Sequence, residues 1–89
     1  MKLPKIHPMD IVEIIWVDIV SDSRWHPKDT VEKVKAAPCM YVGYVVNKDK
    51  DCLRCRNTIA FMDEESDYTV FPLGVIKKLT VLKRRKNGS

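Results

Sequence analysis

The sequence predicts a mainly β fold: five short antiparallel strands closed into a small barrel, with one short helix between strands one and two. Three observations predict it. β-Branched and aromatic residues gather in short runs near 11–20, 39–46, 52–61, 68–71 and 75–82, the residue types that pack well on a pleated sheet. Glycine, proline and polar clusters punctuate those runs at short spacing, as in small barrels. Only residues 27–37 carry the acid–base spacing of a helix.

The elements follow in order. Pro4 and Pro8 fix φ and remove donors, so residues 1–8 read as an extended lead-in. Residues 9–20 read as one long strand with two apolar faces, Val12, Ile14 and Trp16 on one and Ile11, Ile15 and Val17 on the other. Ser21-Asp22-Ser23-Arg24 is turn chemistry. Pro27 suits a first helical turn, Asp29 with Glu32 resembles a capping box, and Asp29 to Lys33 is an i,i+4 pair. Val31 and Val34 are its only well-placed anchors, so the helix of 27–37 is expected to lie as a lid on the sheet until Pro38 stops it.

The second strand, 39–46, has Gly43 in its middle, which suggests a bulge or tight bend. Asn47 to Asp51 is a polar hairpin turn. In the third strand, 52–61, Leu53, Cys55, Ile59 and Phe61 alternate with Arg54, Arg56 and Thr58, which places the first set in the core and the arginines in water. Asp63 to Asp67 is an acidic loop, 68–71 a fourth strand, and 75–82 the last strand after Pro72-Leu73-Gly74 and one short 3₁₀ turn.

Eighty-nine residues make one domain, read as the lead-in at 1–8, a barrel at 9–83 and a basic flexible tail at 84–89. No element is read into Asn87-Gly88-Ser89. Hydrophobic residues are 45% and charged residues 31%, which excludes a disordered chain. The net charge of +4 is local. Residues 77–86 contain six cations and no acid, so the rest of the chain carries −2. A basic tail suits nucleic acid, an acidic protein or a membrane surface, and it also solubilises a terminus. Three cysteines, an odd number, and an N-terminus without an apolar run lead us to expect a cytoplasmic protein with reduced thiols and no membrane span.

Trp16-Val17-Asp18-x-x-Ser21 with Trp25, Val42-Gly43-Tyr44, and Phe71-Pro72-x-Gly74-x-Ile76 resemble a group of small proteins of phage and prophage genomes. The resemblance covers about residues 11–82. It implies an SH3-like β-barrel, a phage source and hence a host-cell cytoplasm, but no activity, since the function of that group is largely unassigned. The basic third strand and the tail depart from the pattern.

No catalytic set is readable. His26 with Asp18, Asp22 and Arg24 nearby is the seed of an acid–base site, yet no nucleophile accompanies it, and the three isolated glycines cannot cradle a phosphate. Cys52-Leu53-Arg54-Cys55 is a CxxC, but a structural zinc site takes four ligands from two such clusters, and only Cys39, His7 and His26 remain. An offset of three on a strand puts the two thiols on opposite faces, one in the core and one exposed. We therefore expect no enzyme, metal or cofactor. The expected function is a module that binds a protein partner, of host or phage, through Asp18, Asp22, Trp25 and His26. Trp25 is either that anchor or a cap on the barrel end. The alternative is nucleic-acid binding through Arg54, Arg56, Lys83, Arg84, Arg85 and Lys86, if strands three and five come together into one basic face; a solvated charged face is the plainer reading of the same residues.

Circular dichroism should show a β-dominated spectrum with a minor helical part, and a helix content above about a third of the chain would contradict the fold class.

Overall fold

Alternation along the strands sorts the side chains into two faces and explains the architecture. The structure is a computed structural model that describes residues 2–85. Its elements are β1 (Ile11–Asp18), α1 (Lys28–Val31), β2 (Ala37–Lys48), β3 (Cys52–Arg56), β4 (Thr69–Pro72), a 3₁₀ turn (Leu73–Val75) and β5 (Ile76–Lys83). The strands form a five-stranded antiparallel sheet in the order β4-β3-β2-β1-β5. The fold is mainly β, as the sequence indicates, with one short helix between the first two strands.

The core lies on one face. Val12 and Ile14 of β1, Val45 of β2, Leu53 and Cys55 of β3, Phe71 of β4, and Ile76 and Leu79 of β5 are all buried there. The sheet coils so that its edge strand meets its middle. Phe71 packs edge-on against Trp16 of β1, with ring centroids 5.5 Å apart, and against Tyr41 of β2 at 5.0 Å. Such edge-to-face pairs add about 0.5–1.5 kcal/mol each beyond area burial. The coiling stops short of a barrel, which corrects the expected closure. Closing would need a ladder between β4 and β5, and both remain edges. β4 has only four residues and ends at Pro72, which has no N–H to donate. The three-residue 3₁₀ turn then carries the chain straight to β1, where β5 pairs instead.

Other expectations change for local reasons. Gly43 is not a bulge: it pairs in register with Val12. A Cβ there would come within 2.7 Å of the Tyr41 ring and 2.8 Å of the Arg56 carbonyl oxygen, so the glycine makes room for Tyr41. The bulge lies at Val46, where the register to β3 shifts. β2 is longer than expected and begins at Ala37, so Pro38 lies within a strand, beyond the stretch that β3 pairs. β3 ends at Arg56, and Ile59 and Phe61 belong to the connection after it. The helix shrinks to four residues because neither valine finds the sheet: Val31 and Val34 are exposed. Its ion pair is Lys28 Nζ to Glu32 Oε1 at 2.8 Å, and no side chain caps its start.

Both ends of the described chain meet at Asp10, which is 1% exposed. Pro8 and Met9 form a turn, with the Asp10 N–H donating to the His7 carbonyl at 3.1 Å and Met9 at φ 72°. Proline before a positive-φ residue is the type II pattern, where glycine is the usual third residue. The Asp10 carboxylate accepts from the N–H of His7 at 2.9 Å, the N–H of Arg85 at 3.0 Å and Arg84 Nη1 at 2.9 Å. Arg84 Nη1 also donates to the Lys5 carbonyl at 2.8 Å. The backbone of the turn is clamped to β2, Met9 N–H to the Val45 carbonyl at 2.8 Å and Val45 N–H to the Asp10 carbonyl at 2.9 Å. The lead-in is thus part of the fold, with Leu3 and Ile6 packed on the core. Lys86 to Ser89 lie outside the described residues.

Burial alone would raise the Asp10 carboxyl, but the Arg85 and His7 N–H groups and the Arg84 charge outweigh it and hold it below its ordinary value. A carboxyl depressed in the folded state stabilises fully above its unfolded value, and that stability is lost as pH falls through the folded value. Asp10→Asn should therefore cost about 1–3 kcal/mol at neutral pH. In chemical-denaturation series, the gap between wild type and variant should hold down to about pH 4 and shrink below it.

Candidate functional site

Two regions carry the sequence-predicted residues, at different places on the sheet. The first is the β1–β2 connection, residues 19–36. It stands off the sheet, since none of its residues joins the core or packs against it, and the molecule is extended, with a radius of gyration of 16.6 Å against about 12 Å for a compact chain of this length. Every residue from Asp18 to Ala36 is exposed. Asp22 organises it. Its carboxylate accepts from the Arg24 N–H at 2.9 Å and pairs with Arg24 Nη2 at 2.7 Å and His26 Nε2 at 3.2 Å. The Arg24 guanidinium foremost, then the Arg24 N–H, holds the Asp22 carboxyl down to about 2. With the residues on both sides turned to Asp22, Trp25 between them points away and is 100% exposed. It does not cap the sheet, which corrects that half of its expected role. Asp18 stands apart at the end of β1, its carboxylate accepting from the Ile19 N–H at 2.9 Å.

The second region is on the outer face, opposite the core. The register places Arg56 of β3, Tyr44 of β2, Ile11 of β1 and Lys83 of β5 in one row across the sheet. β3 and β5 do not come together, as the basic-face reading required, because β2 and β1 lie between them. The shared face nevertheless brings Arg56 and Lys83 to one groove of about 690 Å³. Met9, Arg84 and Arg85 line one end, and Ile59, Phe61 and Glu64 line a wall.

That wall is built by the β3–β4 connection. Asp67 closes its base by accepting from the Asn57 and Thr58 N–H groups, both at 2.9 Å, which hold its carboxyl below the ordinary value. Asn57 Nδ2 donates to the Val42 carbonyl. Ile59 bridges to Ser66, and Glu64, at φ 58°, reverses the tip. Phe61 is left 94% exposed at the rim. Sequence reasoning put Phe61 in the core because it extended the strand's period past Arg56. The turn residues Asn57 and Thr58 were the signal to stop it.

Arg54 is not in the groove: it pairs with Asp49 at 2.9 Å and donates to Asn47 Oδ1 at 3.1 Å. Asp49, which accepts from the Asp51 and Cys52 N–H groups, is held down to about 2 by them and by Arg54. Lys86 lies outside the described residues. The CxxC divides as its spacing requires, Cys55 buried and Cys52 half-buried. Burial pushes the Cys55 thiol up to about 11, away from reactivity. Among the described residues, no group of three or more His, Cys, Asp or Glu side chains is placed to hold a metal ion, and no helix is long and apolar enough to cross a membrane.

Comparison with protein-family models, with curated proteins and with solved structures gives no match to this chain.

The two tryptophans should report separately. Trp16→Phe leaves a hydrated indole, with red-shifted emission open to a polar quencher. Trp25→Phe leaves the half-buried Trp16, with bluer and better-shielded emission. Trp25→Ala should change the unfolding free energy by less than about 0.5 kcal/mol in a denaturation series, the range of a surface substitution.

Proposed function

We propose that the chain is a non-enzymatic binding module that engages a protein partner through the β1–β2 connection, with Trp25 as its anchor. The observation that carries this is the fully exposed indole on a projecting arm, flanked by side chains already turned to Asp22. Burying one tryptophan removes a large apolar area from water, and tryptophan leads the residues found at interface hot spots. Ile19, Val20, Val31 and Val34 are exposed on the same connection and extend the surface a partner would cover. His26 shares Asp22 with an arginine on an exposed loop, a poor setting for general-base work, which needs a group aimed at a held substrate. The strand order, with β5 returning beside β1, also supports the SH3-like reading, and the sequence resemblance supports a phage setting in a host cytoplasm.

The partner should offer an apolar pocket for an indole with polar groups at its rim. Affinity capture from host-cell extract with the wild-type chain, followed by binding measurements on the captured protein, tests this. Trp25→Ala should weaken that complex by about 2 kcal/mol or more, while the variant melts like wild type. A complex indifferent to Trp25→Ala would reject the arm as the interface.

A further inference from the structure

The groove on the outer face is independent of the arm, and its chemistry is different. Its cations come from two strands that are not neighbours. Arg56 and Lys83 stand at the two ends of a four-residue row with Tyr44 and Ile11 between them, a span of three inter-strand steps, roughly 14 Å. Phe61 lines the wall and is 94% exposed. The groove therefore carries positive charge at both ends of this row, with the Tyr44 ring between them and Phe61 on the wall, and Glu64 is the only acid that lines it among the described residues.

Arg56 is the telling residue. Arg54, two positions earlier, has a carboxylate and an amide oxygen for partners. Arg84 has Asp10. Arg56 donates from Nη2 to the Met9 sulfur at 3.6 Å, a weak acceptor, and its buried Nε has no hydrogen-bond partner among the described residues. A guanidinium held half-buried without an anion is costly unless an anion arrives. The structure thus holds a charge ready beside an aromatic rim.

We propose that this groove binds single-stranded nucleic acid, with Arg56 and Lys83 on the backbone phosphates and Phe61 and Tyr44 stacking on bases. Two features favour this occupant over an acidic peptide. Phe61 is an exposed flat ring on a rim, suited to a planar base, whereas a peptide's apolar side chain needs an enclosed pocket. The groove is open, and its cations stand at its two ends, spaced for the phosphates of an extended backbone rather than clustered for one carboxylate. A duplex fits poorly because its bases are paired and stacked already, leaving Phe61 nothing to stack on.

The test is fluorescence anisotropy on the full chain with a labelled oligodeoxythymidylate of about 12 nucleotides, a length within the usual site size of small single-strand-binding barrels. We expect saturable binding tighter than about 10 µM at roughly 50 mM salt, weakening as salt rises. Phe61→Ala should weaken it about tenfold, the loss of one stacked base, with the salt slope unchanged. Lys83→Ala should reduce the slope by about 0.7, one single-strand phosphate contact. Trp25→Ala should leave the affinity alone, so that this site and the protein-binding arm fail separately. Both Phe61 and Lys83 are exposed, and melting curves matching wild type confirm that each variant folds. The proposal is overturned by an absence of saturable binding, by a Phe61→Ala variant that binds like wild type, or by a duplex of the same length that binds equally well. It is also overturned if polyglutamate outcompetes the oligonucleotide, which would make the groove a site for acidic protein.

Discussion

The buried carboxylate of Asp10 is the interaction on which the rest of the structure depends. Its acceptor oxygens gather three groups from two distant parts of the chain, the His7 N–H, the Arg85 N–H and Arg84 Nη1. A carboxylate removed from water needs such partners, because leaving it unpaired costs several kcal/mol. The backbone of the same residue completes a pair with Val45 in β2. One side chain therefore fixes where the lead-in enters β1 and where the chain leaves β5. It also explains the positive φ of Met9. A non-glycine residue in that conformation costs on the order of 1–3 kcal/mol and persists only when its surroundings over-determine it, which the clamps at Met9 N–H and Asp10 do.

From that point the two faces of the sheet take different tasks. The inner face is closed by Phe71 against Trp16 and Tyr41, with Gly43 leaving the space that Tyr41 needs. This curls the sheet and makes a small but continuous core. Among the described residues, the outer face carries only the wall of the β3–β4 connection. Its groove exists because Asp10 holds Met9, Arg84 and Arg85 at one end while Asp67 and Asn57 hold the β3–β4 connection at another. The arm beyond β1 is separate again, organised by Asp22. Three aspartates, each satisfied by nearby N–H groups or an arginine, set the positions of all the candidate binding surfaces.

Much of this was legible in the chain. Runs of β-branched and aromatic residues gave the strands and their order of appearance, and period-two alternation gave the buried Leu53 and Cys55 of β3, because burial on one face is what such a pattern encodes. The helix was overestimated because acid–base spacing is local, whereas a helix with two valine anchors needs a surface to dock on, and none reaches Val31 and Val34. The barrel was overestimated because closure depends on whether two edges meet, a relation between Pro72 and β5 that no local pattern contains. Trp25, Asp22 and His26 were readable as a cluster, though the outward turn of the indole was not. Asp10 was invisible for a related reason. An acid before an apolar strand reads as a solvated end until Arg84 and Arg85, more than seventy residues later, are seen beside it. The groove was half-visible: Arg56 and Lys83 were singled out, but the row joining them runs through Tyr44 and Ile11 and depends on register.

Amide hydrogen exchange, followed residue by residue, tests the central role of Asp10 most directly. At neutral pH the His7 and Arg85 amides should be protected together although both flank exposed segments. In Asp10→Ala, which removes both acceptor oxygens, both should lose protection together, while Val45, bonded to the backbone carbonyl at position 10, stays protected. If His7 and Arg85 exchange freely in the wild type, or if the substitution releases one and not the other, the carboxylate does not join the two ends and the account of the fold fails at its starting point.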